Sequence, residues 1–218
     1  MTNIHPTALV DPAAKVADDV EIGAFTLVGP KVTIGPGSWI GPHVVLTGRT
    51  TIGRNARIFQ FASIGEEPQD KKYAGEDTEL IIGDNNTIRE LCTFSRGTIQ
   101  GGGKTIIGNN NWIMACVHIA HDCILGDNII MAKNQSIPPY VTVSGEKAKA
   151  KGVNTEGLRR RGFTPEQVQQ VRRAYKVLYR SGLPLEEARA KLTEMAETHE
   201  EIKPLVAFLA ATEKSFIR

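Results

Sequence analysis

Two histidines three residues apart, His118 and His121, lie in the segment ACVHIAHDC and are the first candidates for chemistry in this 218-residue chain. An accessible imidazole titrates near neutral pH, so it can take a proton from an alcohol or hold a polar substrate. Asp122 follows His121 directly and can set the orientation or the charge of the ring. Surface histidines without a function show the same spacing, and the cluster lacks a clear third ligand, so we predict no metal site.

Charged residues in two further segments are candidates for binding a polar or anionic ligand. Asp70 and Lys72 lie in the stretch GEEPQDKKYAGEDTEL, and Arg159, Arg160 and Arg161 form a basic run. Guanidinium groups bind diphosphate in a two-pronged geometry and attract acidic proteins. A solvated loop and a solvated basic turn before a helix are the alternative interpretations, and the residue types alone leave both open.

A six-residue repeat is the element that must position these side chains. Aliphatic residues recur at every sixth position in a first run of eleven. The same spacing, with one aromatic residue, returns from Ile82 to Phe94 and, after a slip of one residue, from Ile107 to Ile137. A period of six fits a β-solenoid, in which each hexad is a short strand plus a corner and three hexads complete a coil. The first eleven positions are Ile4, Val10, Val16, Ile22, Val28, Ile34, Ile40, Leu46, Ile52, Ile58 and Ile64.

The composition agrees with a solenoid and excludes several classes of protein. Repeated corners need many of the 21 glycines, and an aliphatic interior needs few aromatics, which make up 6% of the chain. No apolar run reaches the ~18 residues of a membrane span, and a net charge of +2 does not indicate a nucleic-acid binder. The N-terminal segment lacks a secretory pattern, and three cysteines without a CxxC pair predict reduced thiols in the cytoplasm.

The last third of the chain is predicted to be helical. Residues 146–163 read as basic and irregular, and Thr164 with Gln167 then forms a capping box that starts a helix. Pro184 and Pro204 open two more helices. We therefore divide the chain into a solenoid domain, 1–145, with loop excursions at about 66–80 and 95–106, and a helical domain, 146–218.

Four segments, in this order, resemble the UDP-N-acetylglucosamine O-acyltransferases of the hexapeptide-repeat family: FQFASIGEEPQDKKYAGE, SRGTIQGGG, HIAHDC and GVNTEGLRRRGF. The resemblance covers nearly the whole chain. It implies a mainly β fold, a left-handed parallel β-helix of hexapeptide repeats followed by a small C-terminal α-helical domain. It also implies transfer of a 3-hydroxyacyl chain from acyl carrier protein to the sugar 3-hydroxyl of UDP-N-acetylglucosamine, the first step of lipid A biosynthesis in Gram-negative bacteria.

The same resemblance assigns roles to residues and partners. It makes His121 the general base, and it implies a homotrimer with sites between neighbouring prisms and no cofactor. Seven more residues match substrate-binding positions of the family: His118, which would hold the substrate; Asp70 and Lys72, at the nucleotide sugar and the acyl donor; and Asn154, Glu156, Arg160 and Arg161, at the UDP group.

The sequence departs from the family pattern at two places. Ser95 stands where the family usually has histidine. Between Asn134 and Ile137 the family continues for on the order of 40 residues, about two coils. Those coils would bring an oxyanion-hole glycine, another histidine and the residues that measure the acyl chain. Two alternatives therefore stay open: an impaired paralogue that only binds nucleotide sugar or carrier protein, and an acyltransferase with a short-chain or acetyl-CoA donor.

Overall fold

Short strands recur along the first two thirds of the chain in a computed structural model, which describes residues 3–131, 139–144 and 149–211. The hexad position Ile137, the junction that begins at Asn134 and the predicted boundary at 145/146 lie outside these residues. In chain order the strands are β1 (Asn3–Ile4), β2 (Leu9–Val10), β3 (Lys15–Val16), β4 (Glu21–Ile22), β5 (Leu27–Val28), β6 (Val32–Ile34), β7 (Trp39–Ile40), β8 (Val45–Leu46), β9 (Arg49–Ile52), β10 (Arg57–Ile58), β11 (Ser63–Glu66), β12 (Glu79–Ile82), β13 (Thr87–Ile88), β14 (Thr93–Ser95), β15 (Lys104–Ile107), β16 (Trp112–Ile113), β17 (His118–Ile119), β18 (Ile124–Leu125), β19 (Ile130–Met131), β20 (Val141–Ser144) and β21 (Lys149–Val153).

Every third strand stacks in the same sheet, so three hexads make one coil of a triangular prism. Sheet A contains β1, β4, β7, β10, β13, β16, β19, β20 and β21; sheet B runs from β2 to β17 and sheet C from β3 to β18 in steps of three strands. The pairs are parallel and in register, as in Ile22 with Ile40. Only β20 and β21, among the described strands, pair antiparallel. The predicted solenoid is confirmed.

The repeated aliphatic residues fill the interior of the prism. In sheet A, Ile40, Ile58, Ile88 and Ile113 are fully buried and stacked on one another through the strand register. Burying one such side chain contributes roughly 1.5–3 kcal/mol. The narrow interior is thus stabilised by a column of isoleucines rather than by a few large aromatics, which accounts for the low aromatic content.

Asparagines hold the corner between sheets C and A. Asn55, Asn85, Asn110 and Asn128 all have positive φ angles, between 52° and 61°, a conformation that asparagine tolerates better than most residues. Tyr140, with a φ of 70°, takes the next position in this row. Its N–H donates to Asp127 O, just as the N–H of each corner asparagine donates to a backbone carbonyl of the preceding coil. Tyr140 therefore extends the row of corner residues beyond Asn128.

Two loops leave the corner between sheets B and C. Residues 67–78 connect β11 to β12, and residues 96–103 connect β14 to β15 with a short 3₁₀ turn, Ile99–Gly101. After each loop the strands resume their register, as in Ile82 with Ile107. Both loops therefore project from the same edge of a rigid prism, where loops commonly carry binding residues.

The C-terminal helices pack on the last coils. They are α1 (Thr155–Arg160), α2 (Pro165–Tyr179), α3 (Leu185–Thr198) and α4 (Lys203–Ala211), with a 3₁₀ turn at Glu200–Ile202. The capping box of α2 is confirmed. Strand β21 and helix α1 lie where the sequence predicted irregular structure, because β21 pairs with β20. The described helices include none that is long and apolar enough to cross a membrane.

Candidate active site

His121 lies at the corner between sheets B and C. The buried residues Ile119, in β17, and Leu125, in β18, fix the chain on either side of this corner. The side chain of His121 points outward and is 28% exposed. The prediction that this histidine is accessible is confirmed, since its ring meets solvent on the same edge from which the two loops leave.

Asp122 orients the ring of His121. The distance between His121 Nδ1 and Asp122 Oδ2 is 2.9 Å, and only 11% of the Asp122 side chain is exposed. A carboxylate only accepts hydrogen bonds, so in the neutral form of the ring Nδ1 carries the hydrogen and Nε2 has the lone pair. Asp122 itself has a φ of 62° and donates its N–H to Thr105 Oγ1 at 2.9 Å, which fixes its backbone.

The second loop closes over Asp122. Thr98 donates its N–H to Asp122 Oδ1 at 2.7 Å and its hydroxyl to Asp122 Oδ2 at 2.7 Å. At the base of this loop, Arg96 donates to Gly65 O at 2.7 Å and to the Tyr73 hydroxyl at 2.9 Å. Hydrogen bonds therefore join the first loop to the second, and the second loop to the aspartate that holds His121.

His118 and Ser95 lie on sheet B beside this corner. The distance between His118 Nδ1 and Thr93 Oγ1, one coil earlier, is 2.8 Å, so a neighbouring hydroxyl holds the ring. Ser95 is buried in β14. His118 thus lies in β17, three residues before His121, and both rings are held by an oxygen of a nearby side chain.

Asp70 and Lys72 lie on the first loop, two coils before His121. Asp70 Oδ1 accepts the N–H of Lys72 at 2.9 Å, which closes a turn and leaves the Lys72 ammonium exposed. Two coils correspond to about 10 Å along the prism. Within the part of the chain that the structure describes, no hydrogen bond or ion pair joins Lys72 to His121, so this pair shares an edge of the prism but not a contact.

The candidate UDP-binding segment lies at a different corner, between sheets C and A. Asn154 caps α1 by accepting the N–H of Gly157 at 3.1 Å, and its amide donates to Asn128 O at 3.3 Å. The Arg161 guanidinium donates to Asn110 Oδ1 and, at 3.1 Å, to Asn110 O. Partial burial lowers the pKa of Arg161 from its ordinary value. These two residues therefore anchor α1 to the asparagine corner.

Glu156 and Arg160 form the exposed face of the same helix. Glu156 Oε1 and Arg160 Nε are 3.1 Å apart, one helical turn from each other, and both side chains are mostly exposed. An exposed pair of this kind contributes little to stability. The Arg160 guanidinium can instead exchange the Glu156 carboxylate for a phosphate group, because a guanidinium binds both anions in the same geometry.

Cys92 does not supply a nucleophile to the site. Cys92 is buried, and its thiol donates to Met114 O at 3.1 Å. Burial raises the pKa of this thiol to about 11, so it is protonated at neutral pH and is not a nucleophile. Cys92 is thus a small residue of the prism core.

Two residues that organise the site, Thr98 and Asn110, were not predicted from the sequence. Asp122 was predicted to orient the ring of His121, and the hydrogen bond between them confirms this. The signal for Asn110 is its place in the column of corner asparagines. Thr98 lies in the quoted segment SRGTIQGGG, but its partner is 24 residues away in the chain, so the pair is visible only in the fold.

A prism of hexapeptide coils with an accessible histidine at one corner defines an acyltransferase of the hexapeptide class, and comparison with known proteins agrees. A profile described as "Bacterial transferase hexapeptide (six repeats)" matches residues 104–134, and one described as "Udp N-acetylglucosamine O-acyltransferase; Domain 2" matches residues 137–217. Proteins called acyl-[acyl-carrier-protein]--UDP-N-acetylglucosamine O-acyltransferase are 48% identical in Thiobacillus denitrificans and 45% in Neisseria gonorrhoeae, over all of both chains.

Comparison with solved structures points to the same family of acyltransferases. The chain is 37% identical to the UDP-N-acetylglucosamine O-acyltransferase of Moraxella catarrhalis, with 99% of each chain covered and a TM-score of 0.67. For the Campylobacter jejuni protein the identity is 32%, the coverage 99% of each chain and the TM-score 0.70. The chain belongs to the UDP-N-acetylglucosamine O-acyltransferase family, and its fold is the left-handed parallel β-helix with a C-terminal helical part.

The alignment with the Thiobacillus protein also shows that positions of the relative are missing from this chain. It extends over 258 positions and covers all of both chains, whereas this chain has 218 residues. About 40 aligned positions therefore have no residue in this chain. This agrees with the missing stretch of about two coils that the sequence predicted.

Proposed function

We propose that this protein transfers a 3-hydroxyacyl chain from acyl carrier protein to the 3-hydroxyl of UDP-N-acetylglucosamine, with His121 as the general base, at the start of lipid A biosynthesis. The observation that carries the proposal is the His121–Asp122 pair, which leaves Nε2 able to accept a proton at an accessible corner. The names of the relatives supply the substrate and the donor.

The chemistry follows from the tautomer of the ring. Nε2 of His121 takes the proton of the sugar hydroxyl while its oxygen attacks the carbonyl carbon of the thioester. The tetrahedral intermediate then expels the thiolate of the carrier, which receives the proton from the imidazolium. The products are the sugar ester and the free thiol of the carrier. Positioned acid–base catalysis of this kind contributes roughly 10²–10⁴ in rate.

Substrate binding is assigned to the remaining predicted residues. His118 holds the sugar beside His121, and Asp70 and Lys72 contact the nucleotide sugar and the acyl donor from the first loop. The exposed guanidinium of Arg160 binds the diphosphate in place of its Glu156 partner, a charge-assisted and bidentate contact. Asn154 and Arg161 hold α1 in position for this contact.

A homotrimer would bring the two corners together. His121 lies at the corner between sheets B and C, whereas α1 is anchored at the corner between sheets C and A, so one site built from both needs two chains. The third corner offers a contact surface: Phe25, His43 and Phe61 stack with ring centroids 5.0 and 5.2 Å apart. Phe25 is 60% and Phe61 55% exposed, and such apolar surface favours association with another copy.

Acyl carrier protein has a basic surface available on α2. Arg172, Arg173, Lys176 and Arg180 line a groove of about 560 Å³ beside Val153. Three cations on α2 and Arg180, directly after it, attract an acidic partner and increase its rate of association. The free thiols of Cys92 and Cys116 support a reducing compartment, and we place the reaction in the cytoplasm.

One observation favours a second candidate function. About 40 positions of the Thiobacillus relative have no residue in this chain, and an oxyanion-hole donor is commonly worth about 10²–10³ in rate. A protein that binds the nucleotide sugar or the carrier without turnover, or one that uses a short-chain or acetyl-CoA donor, would fit this shortening. The proposed reaction needs a carrier-bound 3-hydroxyacyl donor, one candidate needs a short-chain or acetyl-CoA donor, and the other shows no turnover with any donor.

The test is an assay of the purified protein with UDP-N-acetylglucosamine and 3-hydroxyacyl carrier proteins of several lengths, with acetyl-CoA as a separate donor. We expect ester formation from a carrier-bound donor, reduced roughly 10²–10⁴-fold in His121→Ala. His5→Ala, at an exposed position in the first coil, is the matched control and keeps full activity. Binding without ester formation supports the non-catalytic candidate. Turnover with acetyl-CoA alone contradicts the proposed donor.

A further inference from the structure

The hydroxyl of Thr98 has a fixed direction. Its oxygen accepts the N–H of Gly101 at 3.0 Å, so its only hydrogen points to Asp122 Oδ2, 2.7 Å away. The N–H of Thr98 reaches the other oxygen, Oδ1, at 2.7 Å. Both oxygens of the Asp122 carboxylate are thus held by one buried residue, which fixes the plane of the carboxylate.

The rest of the loop keeps Thr98 in this place. Thr98 O accepts the N–H groups of Gly101 at 3.0 Å and of Gly103 at 2.7 Å, which closes the loop on itself. A Cβ added at Gly101 would lie only 1.8 Å from Asp122 Cγ. The loop backbone therefore contacts the carboxylate directly, and only glycine allows this approach.

We propose that Thr98 is a positioning residue for the acyl transfer, acting through Asp122 on His121; this rests on the function proposed above. Asp122 Oδ2 accepts from both the Thr98 hydroxyl and His121 Nδ1. With its plane fixed, the carboxylate holds the hydrogen of His121 on Nδ1 and aims Nε2 outward. Without the hydroxyl, the carboxylate can turn, and the ring loses both its tautomer and its direction.

The kinetic test compares Thr98→Val, which has the shape of threonine without the hydroxyl, with Thr98→Ser, which keeps it. We expect the valine variant to lower kcat about tenfold, the size of a lost hydrogen bond to a charged group, while KM for UDP-N-acetylglucosamine stays within about twofold. Thr98→Ser should restore kcat. In an Asp122→Ala background the valine substitution should change kcat less than about twofold, because the residue through which Thr98 acts is gone.

A second measurement does not depend on turnover. In protein labelled with ¹⁵N-histidine, the NMR signals of His121 report which ring nitrogen carries the hydrogen. We expect a single Nδ1–H form in the wild type and in Thr98→Ser, and a mixture in Thr98→Val or, if that variant does not fold, in Thr98→Ala. An unchanged tautomer in the folded variant overturns the role of Thr98. A wild type without turnover whose tautomer still changes in the variant supports Thr98 and contradicts only the proposed function.

Discussion

The corner at His121 and the corner that holds α1 are built from the same repeat but are held in different ways. At His121, a buried carboxylate accepts hydrogen bonds from a threonine in a loop and from the histidine ring. At α1, asparagines of the solenoid bind the amide of Asn154 and the guanidinium of Arg161. The first arrangement fixes a tautomer, whereas the second fixes the position of a helix.

This difference separates the residues proposed to transfer the proton from the residues that anchor α1, the helix proposed to bind phosphate. Everything that sets the ring of His121 comes from one edge of one prism. The residues predicted to bind UDP lie at another corner of the prism, and two of them, Asn154 and Arg161, already bind the solenoid. Under the proposed function, a complete site would take His121 from one chain and Arg160 from another. The predictions below test the two corners separately.

Asp122→Ala tests the His121 corner and should have the largest effect. Without the carboxylate the ring has no fixed tautomer, and Thr98 loses its acceptor. We expect kcat to fall roughly 10²-fold or more, measured under saturating substrate in the acyltransferase assay. A loss of less than threefold would show that His121 needs no partner at this corner.

Arg160→Ala tests the exposed face of α1. Removing a charge-assisted contact to phosphate should lower kcat/KM for UDP-N-acetylglucosamine about 10- to 100-fold. Arg160→Lys keeps the charge but not the two-pronged geometry, so its loss should be intermediate. The melting temperature should not change, because the Arg160–Glu156 pair is exposed. Equal kcat/KM in all three proteins would exclude Arg160 from substrate binding.

Asn154→Ala tests the anchoring at the second corner. The substitution removes the cap of α1 and the bond to Asn128 O, so the free energy of unfolding should fall by about 1–2 kcal/mol in a urea titration. Glu156→Gln, two residues further along the same helix, is the control and should change it by less than about 0.5 kcal/mol. If both variants lose the same stability, Asn154 does not act as an anchor.

Alkylation of thiols gives the smallest and simplest contrast. Burial raises the pKa of Cys92 to about 11, and the thiol is shielded by the prism, whereas Cys116 is exposed. At pH 8, iodoacetamide should modify Cys116 and leave Cys92 unmodified in the native protein, as read by peptide mass spectrometry. In urea both should react. Modification of Cys92 in the native protein would show that the coils open at this position.

Much of the architecture could be predicted from the sequence because the repeat is local. A residue every six positions places the interior column, and three hexads place each strand on its partner. The contacts that hold the site could not be predicted in this way, because they join residues far apart in the chain. Thr98 is 24 residues from Asp122, and Arg161 is 51 residues from Asn110. Strand β21 was missed for the same reason, since its order comes from pairing with β20.

The most direct test of the two-corner site mixes two inactive chains. Differently tagged His121→Ala and Arg160→Glu chains are co-expressed in equal amounts, and mixed oligomers are purified through both tags. If each site takes His121 from one chain and Arg160 from its neighbour, one of the three sites in every mixed trimer is intact, and activity should return to about a third of the wild-type value. A mixture no more active than the two variants purified alone would contradict a site shared between chains.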